Sequence, residues 1–165
     1  MREIGVEEII QAVEALCVKT NCFLNQDIRQ GIECALQQEE SPVGKEILSS
    51  LLQNADIAKE KTVPICQDTG MMILFVQVGQ EVHITGGGLE EALNEGVRRG
   101  YTKNALRLSV VEDPLRRKDT GDNTPAVIHY TIVPGDKLRI MAMPKGFGSE
   151  NMGAVAMLKP SQGLE

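Results

Sequence analysis

The sequence has no tryptophan, and only 3% of its 165 residues are aromatic. Its core must therefore be filled by aliphatic side chains and by methionine, of which there are seven. No apolar run approaches the length of roughly 20 residues that a membrane-spanning helix needs. There is no basic stripe interleaved with aromatics, and the net charge is -6, which argues against nucleic acid as a partner. Histidine is scarce: His83 and His129 are the only two. Chemistry that needs an imidazole base has two places to find one. The N-terminus, Met1-Arg2-Glu3-Ile4-Gly5, opens on charge and lacks an apolar signal core. The expectation is a cytoplasmic protein. Its four cysteines, Cys17, Cys22, Cys34 and Cys66, are then thiols for packing or metal rather than disulfides.

What is present fits a globular chain of ordinary balance, 42% apolar and 24% charged. The length suffices for one core with a small helical appendage. Val6, Ile9, Ile10, Val13, Leu16 and Cys17 recur at helical spacing, which predicts an amphipathic helix over Gly5 to Val18, with a break at Thr20-Asn21-Cys22. Asn25 is placed to cap a second helix carrying Ile28, Ile32, Ala35 and Leu36 on one face. Ser41-Pro42 marks the start of a third, because proline lacks the N–H that the first turn leaves unpaired. Residues 1–60 thus read as a helical region, and 61–165 as a mixed α/β region of the same domain.

In that second region Met71 to Val78 is a continuous apolar run, expected as a strand buried on both faces. Val82-His83-Ile84 reads as a short strand and Leu89 to Arg99 as a helix ending near Gly100. Leu106 to Val111 is strand-like, and Glu112 to Thr124 is turn-rich. Ala126 to Val133 and Lys137 to Met143, joined by Pro134-Gly135-Asp136, read as a hairpin. Pro144 to Asn151 is a glycine-rich loop, followed by the apolar run Met152 to Leu158. The closing Lys159 to Glu165 reads as a connection onward, so a truncated piece is expected. The fold class is α/β (α+β): a helical layer followed by a mixed sheet.

Chemistry-bearing groups are densest at Ile65-Cys66-Gln67-Asp68-Thr69-Gly70, at a junction between helical and strand-like sequence. Cys66 is open to three readings: a nucleophile served by His83 or His129, a metal ligand, or an ordinary thiol in a turn. The spacing Cys17-x4-Cys22-x11-Cys34 matches no zinc or ferredoxin pattern, and helical periodicity explains Cys17 and Cys34 as core or near-core thiols. Gly86-Gly87-Gly88 reads as an anion cradle or, more simply, as a strand-to-helix turn. Lys145 to Asn151 reads as a nest of donors for a carboxylate or as a plain loop. Arg107 interrupts an apolar stretch, and it suits either bidentate carboxylate recognition or an outward-facing strand position. Arg98-Arg99 and Arg116-Arg117-Lys118 read as solvated charge.

Five stretches, in this order, carry a resemblance. They are Pro64 to Gly70, Asn94 to Tyr101, Asn104 to Arg107, Thr120 to Ala126, and Pro144 to Met152. Together they resemble the iron–sulfur-dependent class I fumarate hydratases and the related L-tartrate dehydratases, on the alpha subunit or N-terminal domain. The resemblance covers nearly the whole chain from Gly5. It implies a [4Fe–4S] cluster held by three cysteines, with one iron left open to polarise substrate oxygen. By that match Cys66 is the first cluster ligand. Gln67 and Asp68 lie beside the substrate, with Asp68 as a candidate acid–base group. Arg107 binds a carboxylate, and Gly148 offers a backbone contact. The substrates implied are fumarate and L-malate, or tartrate. The partner implied is a beta subunit or C-terminal domain in an oligomer. In the family the other two cysteines lie past the Pro-Ser-Gln-Gly element, where this sequence stops, and Cys17, Cys22 and Cys34 do not match them. The expectation is a hydro-lyase portion that is inactive alone.

Overall fold

A computed structural model describes residues 1–113, 115–148 and 153–162. The elements run β1 (Arg2–Gly5), α1 (Val6–Cys22), α2 (Gln26–Gln38), α3 (Pro42–Lys61), β2 (Met71–Gly79), β3 (Val82–Thr85), α4 (Leu89–Lys103), β4 (Val127–Val133) and β5 (Leu138–Lys145). A 3-10 turn follows at Pro160–Gln162. Helices and mixed sheets confirm the α/β class.

The core lies between two helices and one face of a sheet. Ile9, Ile10, Val13 and Cys17 of α1 meet Leu93, Val97 and Tyr101 of α4 and Met72, Leu74 and Val76 of β2. The helices approach closely because α4 presents Gly96 and Gly100 to α1. A Cβ on Gly96 would fall 2.6 Å from Val13 Cβ, and one on Gly100 would fall 2.6 Å from Cys17 Cβ. By contrast α2 buries nothing fully, so α2 and α3 form a peripheral hairpin. Asn25 precedes α2 as expected but makes no side-chain capping bond, whereas Ser41 Oγ does accept from Gly44 N at 3.4 Å.

Several expectations are corrected. The break at Thr20-Asn21-Cys22 is absent, and α1 runs through it. Thr20 Oγ1 donates to Leu16 O at 2.8 Å and Asn21 Nδ2 to Cys17 O at 2.9 Å. Both polar side chains fold back onto the helix instead of ending it. Gly5 belongs to an unexpected strand, β1, which pairs in parallel with β3 in a separate two-stranded sheet. α4 continues past Gly100 to Lys103.

The predicted hairpin of β4 and β5 does not form. The sheet order is β4-β2-β5, with β2 parallel to β4 and antiparallel to β5. The most apolar strand takes the centre, and the Pro134–Asp136 turn passes over its end. There Gly79 N donates to Lys137 O, Gln80 N to Val133 O and Glu81 N to Gly135 O. Nor is β2 buried on both faces. Met72, Leu74 and Val76 are buried, but Met71, Ile73 and Phe75 are only partly covered. Direct cross-strand partners share a face, so Ile73 sits with Val127 and Met143, and Phe75 with His129 and Met141. Met141 is 62% exposed, which marks that face as open.

Leu106–Val111 is not a strand apart from one isolated bridge, Val111 to Asp119. The backbone donors that a neighbouring strand would use are taken by a side chain, as described below. Pro144 and Lys145 extend β5 rather than opening a loop. Of the expected run Met152 to Leu158, Met152 lies outside the described residues. Residues 153–158 form neither helix nor strand, and Val155 is 96% exposed.

Candidate active site

A cleft of about 720 Å³ opens where the hexapeptide, the end of β5 and the 107–119 segment meet. Its walls include Asp68, Met71, Arg107, Ser109, Phe147 and Gly148. Three distant pieces of chain are drawn together here by a short relay. Tyr101 is buried on α4, and its hydroxyl donates to Thr69 O at 2.8 Å. Thr69 Oγ1 in turn donates to Arg107 O at 2.9 Å. Burial pushes the Tyr101 hydroxyl's pKa up, so it remains a donor.

Asn123 fastens the same region from the other side. It is fully buried, and Oδ1 accepts from Ser109 N at 2.7 Å and Val110 N at 3.1 Å. Its Nδ2 donates to Gly70 O at 3.0 Å. One amide thus makes three of its four possible hydrogen bonds and ties two cleft walls together. It also explains why Leu106–Val111 is not a strand. Ser109 Oγ is buried with no hydrogen-bond partner among the described residues.

Asp68 is held by backbone amides. Oδ1 accepts from Gly70 N at 3.2 Å, while Oδ2 accepts from Phe147 N at 2.9 Å and, at a longer 3.4 Å, from Gly148 N. The carboxylate therefore clasps the turn that follows β5. Gly70 makes the approach possible. Its φ is +60°, and a Cβ there would fall 1.9 Å from Lys145 O.

Of the residues singled out in the sequence, Asp68, Arg107 and Gly148 line this one cleft. Cys66 and Gln67 are exposed and lie just outside its lining. The Cys66 Sγ accepts from Asp68 N at 3.4 Å, which places the thiol beside the Asp68 turn. Neither histidine lines the cleft, and His129 stacks on Phe75 with ring centroids 5.0 Å apart. Ser149, Glu150 and Asn151 of the expected donor nest lie outside the described residues, while Lys145 Nζ donates to Gly146 O at 3.1 Å. The Gly86–Gly88 segment is flanked by Glu90 and Glu91 in the first turn of α4, which suits a turn rather than an anion cradle. Sequence reasoning passed over Thr69, Tyr101 and Asn123. Their only signal was membership of the motifs named above.

The cysteines do not gather. Among the described residues no group of three or more His, Cys, Asp or Glu is placed to hold a metal ion. Cys17 and Cys22 are buried in α1, and burial pushes the Cys17 thiol up to about 12 and raises Cys22 as well. Cys34 is exposed on the peripheral α2. The described residues therefore do not fit a three-thiolate cluster, and Cys66 is the one thiol beside the cleft.

The family model for fumarate hydratase (Fumerase) matches residues 10–165. The chain belongs to that family. Among its relatives, a Methanocaldococcus jannaschii protein with the provisional name L(+)-tartrate dehydratase subunit alpha is 35% identical over 164 residues, covering 96% of this chain and 57% of the relative. The anaerobic class I fumarate hydratase of Escherichia coli is 39% identical over 115 residues, covering 68% of this chain and 21% of the relative. An Escherichia coli L(+)-tartrate dehydratase subunit alpha is 28% identical, covering 98% of this chain and 54% of the relative. The chain thus spans little more than half of the tartrate dehydratase subunits and about a fifth of the class I enzyme. As a family member it shares ancestry with hydro-lyases. No helix among its described residues is long and apolar enough to cross a membrane.

Proposed function

We propose that this chain forms the carboxylate-binding wall of a hydro-lyase that interconverts fumarate and L-malate. The observation that carries the reading is the convergence of Asp68, Arg107 and Gly148 on one cleft in a chain of this family. Among the described residues Arg107 has no carboxylate partner, and it is exposed at the cleft, so its guanidinium is available for a bidentate grip on a substrate carboxylate. Asp68 spends its oxygens on Gly70, Phe147 and Gly148 amides, which fixes the turn that carries Gly148. On this reading Asp68 acts first by positioning. Its acid–base role would need one of those bonds to open when substrate enters. Gln67, exposed beside it, is assigned to the substrate side of the assembled site.

Cys66 is assigned as a single ligand to a [4Fe–4S] cluster. The remaining thiolates would come from alpha-subunit polypeptide past the Pro-Ser-Gln-Gly element, and further substrate contacts and the base from a beta subunit or C-terminal domain. Such a centre, when bound, supplies Lewis acidity toward substrate oxygen. Two outcomes are expected. Anaerobic reconstitution of this chain alone should leave iron and sulfide well below one four-iron centre per chain. A stoichiometric, stable centre would overturn the assignment. In the enzyme assembled with its partner, Arg107→Ala should lower kcat/KM for malate by about 100-fold, mostly through KM. An unchanged KM would remove Arg107 from the site.

The second reading is L-tartrate dehydration. It is favoured by the archaeal relative, which aligns over nearly the whole chain. Turnover of malate and tartrate by the same assembled enzyme separates the two.

A further inference from the structure

Arg107 lies in a segment with little regular structure to hold it. Residues 106–108 belong to no helix or strand. On one side the buried Leu106 side chain anchors them in the core, and Ala105 just before it is bent to φ +52°, a left-handed conformation that a Cβ disfavours. On the other side Asn123 Oδ1 fixes Ser109 N and Val110 N. Between these anchors, among the described residues, the backbone of 106–108 makes one hydrogen bond. It comes from Thr69 Oγ1, which donates to Arg107 O at 2.9 Å.

Thr69 is buried in the Cys66–Gly70 turn, and its own carbonyl is fixed from the core by the Tyr101 hydroxyl. Its neighbour Asp68 accepts from Phe147 N and Gly148 N, while Asp68 N donates to Cys66 Sγ. Two adjacent residues, Asp68 and Thr69, therefore tie together the Cys66 turn, the Arg107 segment and the turn that carries Gly148. A buried hydroxyl needs an acceptor in any fold, and satisfying it is an ordinary structural duty. The segment on which this bond lands sets it apart. A strand fixes its backbone through a ladder of bonds, whereas the Arg107 peptide has one tie, so losing that tie frees the backbone from which the guanidinium projects.

We propose that Thr69 is a positioning residue, which through Arg107 O sets where the guanidinium stands relative to the Cys66–Asp68 turn. This rests on the reading of Arg107 as a carboxylate ligand and adds the residue that holds it in place. A displacement of about 1 Å at a substrate-positioning group costs on the order of 100-fold. Loss of the Thr69 bond costs less, because Leu106 and Asn123 still hold the two ends of the segment.

The test is a double-mutant cycle in the assembled enzyme, read as KM and kcat for malate, or for tartrate where that is the substrate turned over. Thr69→Val removes the hydroxyl and keeps the branched shape. It should raise KM about tenfold and change kcat by less than about threefold. Thr69→Ser keeps the hydroxyl and should return KM to within about threefold of the wild type. In an Arg107→Ala background Thr69→Val should add nothing further, because its effect passes through the guanidinium. A merely structural residue would add its full loss in both backgrounds. If Thr69→Val leaves KM unchanged, or raises it equally with and without Arg107, the proposal is overturned while the Arg107 reading stands. If Arg107→Ala itself leaves KM unchanged, both fall. Should Thr69→Val fail to assemble, Tyr101→Phe takes its place in the cycle, since it releases the Thr69 carbonyl and keeps the hydroxyl. It should raise KM about threefold only where Arg107 is present, and no rise, or an equal rise in both backgrounds, overturns the proposal.

Discussion

Gly70→Ala is expected to destabilise the protein by about 3–5 kcal/mol, summing a left-handed backbone penalty and an overpacking penalty. The glycine sits at φ +60°, and the added methyl group would meet Lys145 O at 1.9 Å. That oxygen belongs to the backbone of β5, which is itself paired to β2, so no side-chain rotation relieves the overlap. Domains of this size are held by roughly 5–15 kcal/mol in total. The variant should therefore unfold at a much lower urea concentration and be largely unfolded at modest temperature. Urea melts followed by circular dichroism decide the matter. A loss under 1 kcal/mol would mean that residue 70 and β5 do not approach as described.

Asn123→Ala is expected to cost about 2–4 kcal/mol. The substitution strands two backbone donors, Ser109 N and Val110 N, and one acceptor, Gly70 O. Each orphaned polar group in a buried setting costs roughly 1–3 kcal/mol, moderated where water reaches the gap. The effect has a second signature that a simple core deletion lacks. Hydrogen exchange at Ser109 and Val110 should accelerate even under conditions where the fold persists, because their amides lose their only described acceptor. Unchanged protection at both amides would show that Asn123 is not the fastener.

How much of this was legible beforehand depends on how local the cause is. The start of α3 could be read from Ser41-Pro42, because the cap and the missing proline N–H act within one turn. The strand at Met71–Val78 could be read from its apolar run. Its place in the sheet could not, because an apolar run does not say which strand lies beside which. Lys137–Met143 looked like the partner of Ala126–Val133, yet β2 lies between them. Thr20 and Asn21 looked like a break because their preference for turns is real. The structure turns the same hydroxyl and amide back onto α1. At the cleft, Asp68, Arg107 and Gly148 were marked by resemblance and then found on one wall system. Asn123 was invisible as a fastener, since its value lies in three backbone groups supplied by residues 70, 109 and 110. Arg117, which lines the cleft, and Lys118, which pairs with Glu112, could not be told apart from Arg116 in the sequence.

The central position of β2 sets a timetable for synthesis. Its partners are Val127–Val133 and Leu138–Lys145, both far downstream. At about 5–20 residues per second of elongation, β2 emerges from the ribosome several seconds before its last partner exists. During that interval Met71 to Val78 is an apolar segment with two unpaired strand edges, the kind of segment that associates with its like. Helices α1 and α4 can shelter one side of it early, because both are complete by Lys103. The nascent chain therefore depends on prompt α1–α4 packing, and the small residues Gly96 and Gly100 at that contact guard against misassembly as well as stabilising the finished fold.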